Sequence, residues 1–353
     1  VKKSIIDSIN ESDRKHNLYK IVLEGEISPD FSIDEELLRE RLGLDFYYCK
    51  IVDKTRVKYN IEEITKGYSV KSLFVKKIMN LIDSILVPQK LVESGVANAT
   101  ALYGQLTGKA AVLVNIPLTL SVAICTSLIP IIAENYILNR KEEMQSKINI
   151  AMKLSAVIAL PATLGMFCLA GPIMKLVFFD RYEGIEILRY LSISIPFVIV
   201  TQTTTSVLQA TNHYIRPVIN LVIGCIVKVI LTTILVPIPE INIFGAVIAS
   251  ISAYVVVTIL NLIALKSKIK CKVSIYDSFI KPAYASVAMI VVVLFSYDFI
   301  MKKIDSNSIS CLLSIFMGII IYIIAILLFK VFNVDEIKNR LVRKWCKEST
   351  VQW

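Results

Sequence analysis

The side chains best placed to do chemistry in this sequence stand inside or beside apolar runs. Lys228 lies near the middle of the run Pro217–Val236. A cation in hydrocarbon is costly unless it pairs or lines a water-filled cavity. No acidic residue falls on the same helix within helical reach, so its partner must come from another segment. Two roles fit it: lining a cavity and meeting an anionic group of a substrate, or snorkelling and bonding a neighbouring helix. Lys109 and Gln105 flank the start of another apolar run, in the stretch GQLTGKA. There Gly104 and Gly108 have the i, i+4 spacing that allows tight helix contact. Lys109 is either an interfacial anchor or a ligand. Asp83 sits in Leu73–Pro88, a run of about 16 residues that also carries Lys76 and Lys77 and is short for a span. It reads as the end of a helix whose beginning is missing, with Asp83 either paired to a lysine or solvated.

Uncharged polar residues complete the set. Asn115, Gln202, Gln209, Asn220 and Asn261 are amides within or near the ends of apolar runs. Thr201, Thr203, Thr204 and Thr205 surround Gln202. A hydroxyl-rich helix face suits a cavity wall near sugar hydroxyls, and it equally suits bonding between helices. The candidates for substrate contact are Lys228, Lys109, Gln105, Asn115, Gln202 and Asp83.

No catalytic constellation accompanies them. There is no GxSxG, P-loop, HExxH or Asp-rich motif, so the chain is not expected to be an enzyme or an ATP-driven pump. The seven cysteines form no CxxC pair, and four of them (Cys125, Cys168, Cys225, Cys311) sit in apolar runs as small hydrophobes. With only His16 and His213, a His-rich metal site is excluded. No cofactor and no metal are expected.

The elements that must position these residues are membrane helices. The chain has 353 residues, 55% hydrophobic, above the 45–50% usual in soluble domains. Seven apolar runs suit the roughly 20 residues a bilayer crossing needs. They are Ala110–Ala133, Ile150–Ala170, Tyr190–Ala210, Pro217–Val236, Ile243–Leu265, Pro282–Tyr297 with its flanks, and Ser310–Phe329. Pro117, Pro161 and Pro196 are kink candidates within them.

Charge supports the same reading. Of the net +10, the apolar part from residue 73 onward contributes all. Its Lys and Arg cluster between the runs, which is membrane topology rather than nucleic-acid binding. If the segment after the first full span is cytoplasmic, the inside segments (134–153, 211–217, 266–281, 330–347) carry sixteen Lys/Arg. The outside segments (171–189, 236–243, 298–309) carry five. The positive-inside rule then places the C-terminus in the cytoplasm, with a basic tail at the inner leaflet and Trp345 dipping into the interface.

Residues 1–72 differ: 13 Lys/Arg balance 14 Asp/Glu. Leu18–Glu24 and Phe46–Val52 have strand composition. Ser32-Ile33-Asp34-Glu35 forms a capping box that opens a helix through Arg41, ended by Gly43. A second short helix begins near Asn60. The expected unit is strand–helix–strand–helix, a small soluble α/β segment ahead of an all-α polytopic membrane bundle of seven full spans plus one truncated helix (73–353).

Two stretches carry resemblances. NLYKIVLEGE (17–26), FYYCKIVDKTRVKYNIEEI (46–64) and SLFVKKIM (72–79) resemble the C-terminal accessory region of calcineurin-like metallophosphoesterases of the DNA-repair exonuclease type. That family's metal site belongs to a catalytic domain with no counterpart here, so the resemblance implies no nuclease activity; a generic α/β appendage is the other reading. From Asn80 to about Phe332 the sequence resembles the polysaccharide-exporter branch of the MOP flippase superfamily. The likeness is to its stage V sporulation protein B-like members and, more distantly, to its lipid II flippases. The stretches are NLIDSILVPQKL (80–91), ATALYGQLTGKA (99–110), NIPLTLSVAICTSLIPIIAE (115–134), PATLGMFCLAGPIMKLVF (161–178) and LQATNHYIRPVIN (208–220).

The resemblance implies two six-helix lobes about a central cavity, of which this chain carries the second with two extra helices. It implies a lipid-linked saccharide substrate, with Lys228 meeting its pyrophosphate, and a first lobe or another membrane subunit as partner. The expected function is half of a lipid-linked oligosaccharide or peptidoglycan-precursor flippase in the cell membrane, driven by a gradient or by exchange. The chain starts at Val1 with no signal peptide ahead of it, and the change of character near 72–80 has no Gly/Ser/Pro linker. Both features read as a fragment or a chimera of two genes, which is the alternative to an active transporter. A membrane-embedded sugar transferase is the third reading, disfavoured by outer loops of at most about 20 residues.

Overall fold

The computed structural model describes residues 9, 14–27, 38, 41–43, 45–53, 56–57, 61–96, 98–179, 181–269, 274 and 276–331, and for 61–76 gives the helix without its side chains. The chain divides into two compact units, Val1–Gly67 and Tyr68–Trp353.

In the first unit, β1 (Leu18–Leu23) pairs in parallel with β3 (Tyr48–Asp53), Leu18 opposite Tyr48 and Leu23 opposite Asp53. β2 (Glu26–Ile27) and β4 (Arg56–Val57) repeat the parallel pairing. β1 alternates exposed and half-buried residues, the period of a strand with one covered face. Leu42, Phe46, Cys49 and Ile51 form the small core, and the Tyr19 ring meets Phe46 edge-on at 5.5 Å. The expected capping box at 32–35 lies outside the described residues.

The second unit is an all-α membrane bundle. We name its elements α1 (Ile61–Glu93), α2 (Ala99–Gly104), α3 (Ala111–Ile137), α4 (Lys141–Cys168), α5 (Ala170–Phe178), α6 (Ile185–Ser192), α7 (Ile195–Ala210), α8 (Ile215–Leu235), α9 (Ile243–Ala264), α10 (Lys281–Ile304) and α11 (Asn307–Leu328). α1 belongs to this unit from residue 68. Among the described residues, six continuous helical stretches are long and apolar enough to cross a bilayer. They are Ala99–Ile137, Lys141–Cys168, Ile215–Leu235, Ile243–Ile269, Tyr276–Ile304 and Asn307–Leu328. The pair α6 and α7, bent by 43°, makes a seventh if it acts as one span.

Three sequence expectations change. The short helix near Asn60 and the run Leu73–Pro88 are parts of one helix, α1, 33 residues long with Pro88 inside it. The run from Tyr190 to Ala210 is broken at Ile193–Ser194, and Pro196 stands in the first turn of α7, where its missing N–H has no helical partner to lose. The first span begins at Ala99, and a π-helical turn, Gln105–Ala110, lies between α2 and α3. At 39 residues it is about 58 Å long, nearly twice the ~30 Å hydrocarbon core.

Inside the bundle, small residues set the helix spacing. A Cβ on Gly224 of α8 would lie 2.3 Å from Val257 of α9, and one on Gly318 of α11 would lie 2.5 Å from Val293 of α10. These helices touch nearly backbone to side chain, as small-residue packing in lipid allows. Gly104 and Gly108 do not serve this purpose: no described atom lies within 4 Å of a Cβ placed on either. Short turns reverse the chain at Asn139, Asn212, Asn242 and Asp305, all with positive φ, a conformation that Asn and Asp tolerate best after glycine.

Candidate functional site

The charged centre of the bundle is built from two helix stripes at i+4 spacing. On α1, Met79, Asp83, Val87 and Leu91 follow one another along one face; Met79, Val87 and Leu91 are buried and Asp83 is half-buried. Val87 and Leu91 belong to the main apolar core, with Leu113, Leu118, Ile195 and Val247. On α8, Asn220, Gly224, Lys228 and Thr232 form the matching stripe. The Lys228 ammonium donates to the Asp83 carboxylate in a direct ion pair, with side chains only 12% and 18% exposed. Low dielectric strengthens such a pair and makes either partner alone costly to bury.

Tyr103 of α2 and Tyr254 of α9 pack on the same apolar core as Val87 and Leu91 of the Asp83 stripe. Thr232, one turn from Lys228, is fully buried and its Oγ1 makes no hydrogen bond among the described residues. Tyr103, Tyr254 and Thr232 are residues that sequence reading passed over. For Thr232 the signal was present, since position 232 follows 228 by one helical turn. For Tyr103 and Tyr254 it was not, because they come from different helices.

A second, uncharged network lies between α3, α4, α7, α8 and α9. Thr203 bonds Ser155 at 2.5 Å and Cys125 at 3.4 Å. Thr201 meets Thr258 at 2.9 Å. Asn261 donates to Thr204 and Thr205 at 3.2 and 3.1 Å and accepts from Asn220 at 2.8 Å. The hydroxyl-rich stretch around Gln202 is thus engaged in interhelical bonding through Thr201, Thr203, Thr204 and Thr205. Gln202 itself keeps a buried Oε1 without a partner among the described residues. Asn115 lies on the exposed face of α3.

Lys109 and Gln105 meet elsewhere, at the connection between α5 and α6. Lys109 donates to the Glu183 carboxylate at 2.7 Å and to the Arg181 carbonyl at 2.5 Å, and lies 5.8 Å from the Phe178 ring centroid. Gln105 packs on Gly184, whose φ of +96° suits glycine and where a Cβ would meet Gln105 Cβ at 3.2 Å. The Lys109 hydrogen bond holds the Glu183 carboxyl below the usual carboxylate range. Of the six candidates, Lys228 and Asp83 form one site, and Lys109 and Gln105 clasp a loop. Asn115 and Gln202 join neither group by a hydrogen bond. Among the described residues, no three His, Cys, Asp or Glu side chains gather to hold a metal.

The family model described as "Lipid II flippase MurJ" matches residues 105–303, more than half of the chain. Stage V sporulation protein B of Bacillus subtilis (strain 168) is 26% identical over 277 residues, 76% of this chain and 52% of that protein. Lipid II flippase MurJ of the same organism is 27% identical over 197 residues, 54% of this chain and 35% of that protein. A solved structure, "Lipid II flippase MurJ, inward closed conformation", superposes with a TM-score of 0.57 at 16% identity, covering 78% of this chain and 56% of its own, and shows the shared fold. The chain spans about half the length of the stage V sporulation relative, and less of the other.

Proposed function

Because the chain belongs to the lipid II flippase MurJ family, within the MOP flippase superfamily, we propose that it is the C-terminal lobe of a transporter for lipid-linked oligosaccharides or peptidoglycan precursors. The observation that carries this reading is the Lys228–Asp83 ion pair, a largely shielded charged pair that joins two helices of the bundle. Intramembrane charge marks substrate paths, and Lys228 suits a lipid pyrophosphate. Transport proceeds by alternating access, one lobe rocking against another across a cationic cavity, with an N-terminal lobe or another membrane subunit as the partner. The work is translocation rather than catalysis. The sixteen-to-five excess of Lys and Arg on one side supports a cytoplasmic C-terminus, and residues 1–72 form an appended soluble segment.

The test is a proteoliposome assay that follows a fluorescent polyprenyl-pyrophosphate-linked saccharide. The chain is reconstituted together with the N-terminal lobe of a relative, beside a full-length relative as control. Flipping by the combined lobes is expected, and its loss in Lys228→Ala. Absence of flipping by the combined lobes, with the control active, overturns the reading. Unchanged flipping in Lys228→Ala removes Lys228 from the site.

A further inference from the structure

Lys228 is not a free cation. Its ammonium is already bonded to Asp83, and both side chains are largely shielded. Gly224, one turn away, packs α8 against Val257 of α9 too closely for any side chain, which fixes the helix that carries Lys228. Asp83 comes from a different helix, α1, and reaches the pair along the stripe that ends in Val87 and Leu91. Thr232 Oγ1, fully buried one turn further along the Lys228 stripe, has no hydrogen-bond partner among the described residues. An anion approaching Lys228 therefore finds its ammonium already occupied by the Asp83 carboxylate.

Resting on the proposed transport of lipid pyrophosphates, we propose that Asp83 is a positioning residue that holds Lys228 in reserve, so that pyrophosphate binds by displacing the Asp83 carboxylate. The exchange replaces one charge-assisted bond to the ammonium by another and leaves the net count of ion pairs unchanged. It has two consequences. The empty site is neutral and stable in the membrane. Binding is weaker than a bare lysine would give, because the carboxylate competes for the same donor and loses its partner when the ligand wins.

The experiment measures binding of farnesyl pyrophosphate to the full chain in lipid nanodiscs, with farnesol as the probe lacking phosphate. Wild type, Asp83→Asn, Lys228→Met and the double variant are compared. The expected result is binding about tenfold tighter or more in Asp83→Asn, and loss of pyrophosphate preference in both variants lacking Lys228. A purely structural role for Asp83 cannot raise affinity. Asp83→Ser serves as a second neutral variant if Asp83→Asn does not fold, folding being checked by helical circular dichroism and gel filtration. If wild type prefers pyrophosphate and Lys228→Met does not, yet neutral variants at 83 bind no tighter, the competition is overturned and the transport reading stands. If no variant prefers pyrophosphate over farnesol, the pyrophosphate reading itself fails and the proposal with it. Unchanged preference in Lys228→Met overturns the proposal as well.

Discussion

Two of the lysine–carboxylate pairs in the bundle, each joining distant parts of the chain, have different physics. Lys228–Asp83 joins α1 to α8 with both side chains under one-fifth exposed, whereas Lys109–Glu183 clasps a loop with Glu183 62% exposed. The chemistry is the same, an ammonium donating to a carboxylate. What differs is the alternative open to each group when its partner is lost. Glu183 turns to water, which repays most of the interaction. Asp83 and Lys228 have little water to turn to, so each depends on the other. Charge type therefore says little about a pair's importance, and the surroundings decide it.

Removing one inner partner is the strongest way to test this contrast. Lys228→Ala should destabilise the bundle by about 3–5 kcal/mol, the cost of a buried charge left alone. Steric-trapping measurements in bicelles read this directly. The double variant Asp83→Asn/Lys228→Ala should recover most of that loss, since no uncompensated charge remains. Additive losses in the double variant would break the comparison.

The next effect belongs to the loop that Lys109 clasps. Gly184→Ala places a side chain at a φ of +96° and against Gln105. It should cost about 1–2 kcal/mol. A cost larger than that of Lys228→Ala would reverse the ranking of the two regions.

A buried but neutral site sharpens the contrast from the other side. Asn261→Leu removes its bonds to Thr204, Thr205 and Asn220. A loss of about 1 kcal/mol is expected, as for other hydrogen bonds between membrane helices. It should be smaller than that for Lys228→Ala, because no charge is stranded.

The smallest effect is the pH response of the outer clasp. Glu183 has a lowered pKa in the folded chain because Lys109 bonds its carboxylate. Its contribution is therefore present above the ordinary glutamate range and is lost as pH falls through the lowered value. Thermal unfolding of wild type and Glu183→Gln should converge at acid pH and separate slightly near neutrality. Raising salt to about 1 M, where screening acts within about 3 Å, should shrink that separation and leave the Lys228→Ala effect nearly intact.

The membrane bundle was legible along the chain because its signals are local. A run of apolar residues must become a helix in lipid, since each backbone group needs a partner within reach. The observed helices overlap all seven predicted runs, although the third is bent. The strands at Leu18–Leu23 and Tyr48–Asp53 were legible by composition in the same way. Boundaries were less so: nothing local distinguishes a π-helical turn at Gln105–Ala110 from ordinary helix, and a polar 61–72 followed by an apolar 73–88 conceals one continuous helix.

The site divides along the same line. That Lys228 needs a partner from another helix follows from residue type and hydrocarbon alone. The same reasoning marks Lys109, Asn220 and Asn261 as residues that must find polar company. Which company each finds was settled by folding. Asp83 lies 145 positions from Lys228, and Glu183 lies 74 from Lys109. Helix periodicity fixes which residues share a stripe, but not which stripes face each other. That depends on the close contact at Gly224 and on the packing of Val87 and Leu91 into the core, interactions that exist only once the helices have assembled.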